Sequence, residues 1–470
     1  MKNVFALFVL LLSNLLLAQE YKFTGVKDYF IMGLLRGPNH TFGVMYRDKD
    51  KTTAINVLDS NLAFQSKVII DLKMGANDEV IQSNTNGKSS VLQIFDVVAS
   101  DYSKQYLVSL SSDFKILRKL TPKETIEFGG KKIIPDPSGQ GYYFTNGIKI
   151  TKYDNSLNQL WEYNAPKGEN FIYNMNIKGN INEVITDEES LSFASFSSEK
   201  VDKKSMTNTY IVSVDAKTGT ERFRTKIFTG TGYFSYDCNF EKKGTDYYFS
   251  RMHYDGLGTP SYNVVGAELA IVDKAGKLVK TLELKESAEF SNFFYADKKI
   301  SGYFLRFVVG KNNYFIITET PKKENKFVIW ELDNSFNLKR SFAFDKKDNN
   351  CLLFNVFPSE DTNKPIRFLY NNLDKAATTK TNVIEEVSIN METKTLSTPK
   401  VLFKYSQNRG LVDYSNGWSN IGTSNAYSFG VKSAELDKFY YFQYNASMQI
   451  VLGYSNVSDN NFYVKKLSYK

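Results

Sequence analysis

Two histidines, His40 and His253, are all that 470 residues contain, and that scarcity bounds the chemistry this chain can perform. A zinc or copper centre built on imidazole needs more of them. A Ser-His-Asp triad would have to draft one of the two. No G-x-S-x-G elbow, Walker loop, H-E-x-x-H helix or C-x-x-C pair is present. The densest polar stretch is Arg251-Met-His253-Tyr254-Asp255-Gly-Leu-Gly258-Thr-Pro260. It sets a general base, an anion binder and a hinge side by side, but a solvated loop whose Gly and Pro make turns has the same composition. We assign no catalytic residue. Arg251, His253, Tyr254 and Asp255 are read as candidate contact residues, together with Trp418, an aromatic anchor in a Gly-containing connection.

The acidic stretches Asp48-Lys-Asp50 and Asp345-Lys-Lys-Asp348 lack the spacing and distal bidentate Glu of a calcium loop and read as solvated turns. No metal or cofactor is expected. Cys238 and Cys351 are the two thiols. Each falls on an innermost strand of a different repeat, with a whole repeat between them, beyond the ~7 Å reach of a disulfide. Both are expected free and buried.

What must position these residues is a repeat. Short apolar strands run into an acidic or amide turn and out again, at Asp59, Asp113, Asp154, Asp215, Asp273, Asp333, Asn390 and Asn445, about every 55 residues. An earlier turn precedes each, for example Asp136-Pro-Ser-Gly139 before GYYFTNG, Lys243-Gly-Thr-Asp246 before YYFSR and Thr423-Ser-Asn425 before AYSFGV. Each unit reads as four antiparallel strands A to D with the acidic turn between C and D. The composition agrees, with 36 Phe and 30 Tyr favouring strands. The fold expected is an all-β, single β-propeller of eight blades of four antiparallel strands, seven plus a split one being the alternative. Ring closure should pair Tyr21–Gly25 or Tyr29–Leu35 with Phe462–Leu467, since an open ring leaves exposed edges.

Such hairpins send all A–B and C–D turns to one face of the disc and all B–C and D–A connections to the other. The first set is short. In the second, Ser197–Thr209, Arg251–Asn263 and Asn371–Asn382 read as long B–C loops, and Thr229–Gly232 and Gln407–Asn420 as long D–A connections. Length and variety therefore collect on one face, where loops on a rigid scaffold carry function.

Val214-Asp215-Ala216-Lys217-Thr218-Gly219-Thr220-Glu221 resembles the D-A-x-T-G turn of quinoprotein-type propeller repeats, and Tyr153-Asp154 through Leu160-Trp161 resembles the same repeat with its Trp kept. Phe223, Leu278 and Leu338 hold the Trp place elsewhere. That resemblance implies eight blades, as in quinone-dependent dehydrogenases and in the propeller subunit of the outer-membrane barrel-assembly machinery.

The termini suggest an address. Lys2, the apolar run Val4–Leu17 and the small Ala18 make residues 1–18 an expected signal peptide, leaving 19–470 as the propeller domain. No later run is apolar enough for a spanning helix. The +8 charge is carried on scattered lysines rather than a stripe interleaved with aromatics, which argues against nucleic acid. The expected function is a non-catalytic exported platform for protein interaction. It would be a subunit of an envelope, outer-membrane or cell-surface assembly, in the periplasm or at the outer membrane, with other envelope proteins as partners. The alternative is a propeller enzyme, quinone-dependent or carbohydrate-active, with its site at the central channel.

Overall fold

A computed structural model describes residues 20–24, 29–37, 41–72, 78–96, 106–120, 132–145, 148–171, 184–201, 204–231, 233–254, 264–284, 290, 303–310, 312–320, 324–347, 351–358, 365–374, 381–406, 424–425, 439–445, 449–456 and 461–468. Strands dominate because aromatic and β-branched residues recur in short runs bounded by Asx turns. The third strand of the first sheet, Thr53–Leu58, is buried at all six positions, and the fourth, Phe64–Ile70, is mostly exposed. A strand clamped between two neighbouring sheets has no solvent face and reads as a continuous apolar run. A rim strand keeps one wet face.

Among the described residues the strands pair into eight antiparallel sheets of four or five strands. Apolar clusters lie between successive sheets rather than inside any one of them. Leu35, Met45 and Ile55 of the first sheet pack with Leu92, Val108 and Phe114 of the second, and Val91 and Leu107 of the second with Tyr142 and Phe144 of the third. The same holds between the third and fourth, fourth and fifth, fifth and sixth, and sixth and seventh sheets. Phe462 and Val464, near the C-terminus, share a cluster with Ile31, Phe42 and Val44 of the first sheet. Sheets that pack face to face in chain order, with the last returning to the first, form a β-propeller.

The ring is sealed by the first of the two expected closures. Glu20–Phe23 pairs antiparallel with Asn461–Ser468, from Glu20↔Lys465 to Phe23↔Phe462, and completes the sheet of Phe439–Asn445, Gln449–Asn456 and Asn461–Ser468. The other candidate, Tyr29–Leu35, falls in Phe30–Arg36, the first strand of the first sheet. This closure corrects the phase of the final repeat. Asn445 ends the sheet's first strand, so its turn joins strands one and two, whereas the cadence placed it between the last two. The Thr423–Asn425 turn also moves: Ser424–Asn425 pairs with Gln82 and Ser83 on the free edge of Asp78–Thr85, the inner strand of the second sheet.

The acidic turns share one construction. Asp59, Asp154, Asp273 and Asp333 each accept, through Oδ1, backbone N–H groups two and four residues on. In the Asp113 turn Ser111 takes that place, its Oγ accepting from the N–H of Lys115. The residue before the last of each turn adopts positive φ, and in four turns it is a large apolar side chain: Leu62, Phe114, Leu157 and Phe336. A bulky αL residue is strained, and burial of all four in the clusters between sheets compensates.

Among the described residues, no helix is long and apolar enough to cross a membrane. Cys351 is buried and joined in no disulfide. Cys238 lies on the inner strand Tyr233–Lys243 of the fifth sheet, and the sixth sheet separates the two. His40, Asp255, Trp418 and residues 1–19 lie outside the described residues.

Candidate functional site: an arm on the loop face

The fourth sheet departs most from its neighbours. Its long strands Ser190–Val201, Lys204–Asp215 and Glu221–Thr231 hold 12, 12 and 11 residues. The corresponding strands of the third sheet, Tyr142–Thr145, Lys149–Tyr153 and Gln159–Asn164, hold 4, 5 and 6. At ~3.3 Å per residue a strand of that length reaches roughly 40 Å, about twice the ordinary span. Along Ser190–Val201 six residues are buried, two intermediate and the last four exposed. Pairing does not stop where burial does. It continues through Ser198↔Thr207 and Glu199↔Met206 to Val201↔Lys204, and the outer strand follows to Met206↔Thr231. A three-stranded arm thus leaves the disc on the face of the B–C connections.

This overturns the reading of Ser197–Thr209 as a loop. Ser198–Val201 are exposed, while Thr207, Asn208 and Thr209 across the ladder are buried without apolar side chains, so the apolar alternation that announces a strand vanishes while the backbone ladder persists. Thr207 and Thr209 favour the extended backbone. The Asn208 side chain ties all three strands: Nδ2 donates to Glu199 Oε1 at 2.7 Å, and Oδ1 accepts from Thr229 Oγ1 at 2.8 Å.

The arm is anchored at its base on both sides. Phe196, Ile227 and Phe228 pack with Phe240 and Phe249 of the fifth sheet. On the other side Arg224 pairs with Glu169 of the same sheet, which also accepts from Ser195 Oγ, and reaches Tyr163 of the third. Arg224 Nη2 donates to Glu221 Oε2 at 2.7 Å and to the Tyr163 hydroxyl at 2.6 Å, and Tyr163 donates to Glu221 at 2.8 Å. Burial opposes the Glu221 carboxylate, but the bonds from Arg224 and Tyr163 outweigh it and hold its pKa below the usual value. Burial, then the hydrogen bond to Glu221, pushes the Tyr163 hydroxyl well above its usual range. The cluster is an anchor of fixed charge states.

The fifth sheet abuts the arm. Glu221–Thr231 is followed by Tyr233–Lys243, so Thr229–Thr231 of the long connection expected at Thr229–Gly232 are strand instead, Gly232 lying outside the described residues. Tyr233 stands opposite Tyr254, at the end of Asp246–Tyr254. The sequence's candidate residues therefore divide. His253 and Tyr254 occupy ladder positions at the loop-face end of the fifth sheet, opposite Gly266 and Val264, beside the arm. Arg251, expected in a loop, lies in the same strand and is buried, with Nε donating to Glu268 Oε2 at 3.0 Å. Both members of that pair are enclosed, so Arg251 is an internal strut with no surface to offer. Asn371–Asn382 is likewise largely ladder, with Asp374 opposite Thr381. Glu199, Val201, Asn208 and Thr229 fell within spans read as long connections but were not singled out; their one signal was Thr alternation in a polar run.

Among the described residues no group of three His, Cys, Asp or Glu side chains is placed to hold a metal ion. The sequence matches no family model and no curated protein. Solved structures with similar coordinates include the β-propeller domain of the Trilobed protease from Pyrococcus furiosus, with 8% identity over 81% of this chain and 100% of that one and a TM-score of 0.38. The WD40 domain of SCAP from fission yeast aligns over 96% of this chain and 90% of its own, with 9% identity and a TM-score of 0.35. Prolyl oligopeptidase B from Galerina marginata aligns at 9% identity and a TM-score of 0.40 over 90% of this chain, which spans 55% of that structure.

Proposed function

We propose that this chain is an exported, non-catalytic β-propeller that serves as a platform for protein interaction within an envelope or outer-membrane assembly. Its contact surface is the arm of the fourth sheet with the adjoining end of the fifth. The observation that carries this reading is the continued pairing of Ser198–Val201 beyond the buried part of their strand. Thr207 across the ladder is buried, but the four residues Ser198–Val201 themselves are exposed and gain little burial in the isolated protein to offset the entropy of fixing them. A partner that covers them supplies that burial. Projecting β-strands are suited to this task because their backbone groups and alternate side chains present a regular surface.

The test is affinity purification from native membranes followed by mass spectrometry, comparing the intact chain with one in which residues 198–208 are replaced by a two-residue turn. Stoichiometric recovery of an envelope protein by the intact chain, lost on shortening, supports the proposal. Equal recovery by both chains, or recovery of neither with turnover on a sugar or alcohol panel, overturns it.

A further inference from the structure

The first turn of the third sheet closes over an enclosed ion pair. Asp136 opens that turn directly after Lys132–Pro135, the sheet's first strand, and Lys152 lies on its third, Lys149–Tyr153. Lys152 Nζ stands 2.7 Å from Asp136 Oδ2, and both residues are buried. We propose that this pair condenses spontaneously to an amide, an internal cross-link that ties the first turn of the sheet to its third strand.

Asp136 Oδ2 and the Tyr143 hydroxyl are both buried and make no hydrogen bond. The contact between Nζ and Oδ2 is thus close without being aligned as a hydrogen bond. The enclosed Arg251–Glu268 pair differs, because there Nε donates to Oε2. Tyr143 stands directly opposite Lys152 in the ladder, and the ammonium lies 5.1 Å from the centre of its ring. Trp161 extends the aromatic wall, its ring 5.7 Å from that of Tyr143. Burial, then the charge of the nearby Asp136 carboxylate, pushes the Tyr143 hydroxyl far above its usual range, so it keeps its proton at neutral pH. A buried polar atom without a partner is costly, and two of them meet at this one carboxyl group.

The chemistry closes on the residues present. Two buried charges carry a desolvation penalty, and a neutral amide removes both. The ammonium passes one proton to Oδ2, and the lone pair of the resulting amine forms the Nζ–Cγ bond. Negative charge develops on Oδ1, which already accepts from the Ser138 N–H at 2.9 Å. Tyr143 gives its proton to Oδ2 and takes one from Nζ in return. The Cγ–Oδ2 bond then breaks, and Oδ2 leaves with two hydrogens as water. The third hydrogen stays on Nζ, which goes on donating to the Ala216 carbonyl, its acceptor at 2.7 Å in the ion pair. No oxidant or co-reactant is consumed. Holding the two groups in contact supplies the effective concentration that a free amine and acid lack in water.

The experiment is tryptic mass spectrometry of the full chain, unfolded and digested, beside Lys152→Arg and Tyr143→Phe. In an unlinked chain trypsin cuts after Lys149 and Lys152 and releases residues 150–152. The amide blocks the second cut and joins 133–149 to 150–167 in one branched peptide. That peptide is lighter by one water than its two parts and carries two α-amino groups, which a linear peptide of equal mass does not. The expected result is the branched peptide from the wild type and none from Lys152→Arg. In pulse-labelled Tyr143→Phe it should form at least about tenfold more slowly. Full release of 150–152 from the wild type overturns the proposal. So does a branched peptide that persists in Lys152→Arg, or one that forms at the wild-type rate in Tyr143→Phe.

Discussion

The indole of Trp161, on the outer strand of the third sheet, lies flat against Gly219 in the turn of the fourth: a methyl group at Gly219 would come within 2.7 Å of the ring. Nε1 donates to the Ala216 carbonyl at 3.3 Å in the same turn. Gly219 also holds φ at +72°, where a side chain is strained. Phe223 and Gly276 repeat the arrangement one boundary on. At the first boundary the turn residue is itself large: the Phe114 ring, from the turn of the second sheet, lies 2.7 Å from where a Cβ on Gly37 of the first would sit.

Gly219→Ala should therefore lower stability by about 2 kcal/mol, combining αL strain with displacement of the indole. Trp161→Ala should cost about 3 kcal/mol through the cavity left between sheets. Because both act at one contact, the double variant should cost less than the sum. Urea unfolding of the three variants measures this; strict additivity would show that the two residues do not share a lock.

Acid stability should depend on a second contact between sheets. Lys242 of the fifth sheet pairs with Asp187 in the first turn of the fourth. Burial opposes the Asp187 carboxylate, but the Lys242 bond and the N–H groups of Glu189 and Ser190 outweigh it and depress its pKa. A depressed carboxylate contributes stability above its unfolded value near 4 and loses that contribution as pH falls through the folded value. Asp187→Asn should cost about 1 kcal/mol at pH 7, a modest figure for a half-exposed pair. The difference from the wild type should shrink as pH falls below the unfolded value near 4 and on through the lower folded one. A constant difference across urea titrations over that range would contradict the assignment.

The Arg251–Glu268 pair predicts an asymmetry. Removing one partner, as in Glu268→Gln or Arg251→Ala, should cost about 3–5 kcal/mol because the other is left enclosed, whereas Arg251→Met with Glu268→Leu should be close to neutral. Thermal unfolding of the single and double variants decides this. A tolerant Arg251→Ala would return that residue to the list of surface contacts.

Most of the wheel was legible in the sequence because its signals are local. An Asx turn is made by one side chain and the next four residues, so Asp59, Asp154, Asp273 and Asp333 announced themselves. Trp161 and Gly219 were visible for the same reason, each lying within a short turn-and-strand phrase. What misled was polarity. Ser197–Val201 and Thr207–Thr209 look like a loop because the first run reaches into solvent and the second buries polar side chains, and hydrophobic patterning does not report pairing. Arg251 misled the opposite way: a charge surrounded by Gly, His and Asp reads as surface, yet its neutraliser, Glu268, comes from the next strand across the hairpin. The phase of the last repeat was hidden because its fourth strand, Glu20–Phe23, comes from the far end of the chain.

The central claim is that the arm is covered by a partner in the native envelope. Its most direct test is a photo-crosslinking residue at Val201, which is 46% exposed at the arm's tip, with Leu160, 54% exposed on the outer strand of the third sheet, as the control. Illumination of native membranes should give one discrete heavier species from position 201 and none from position 160. Crosslinks of equal yield and identity from both positions, or none from 201, would contradict the account.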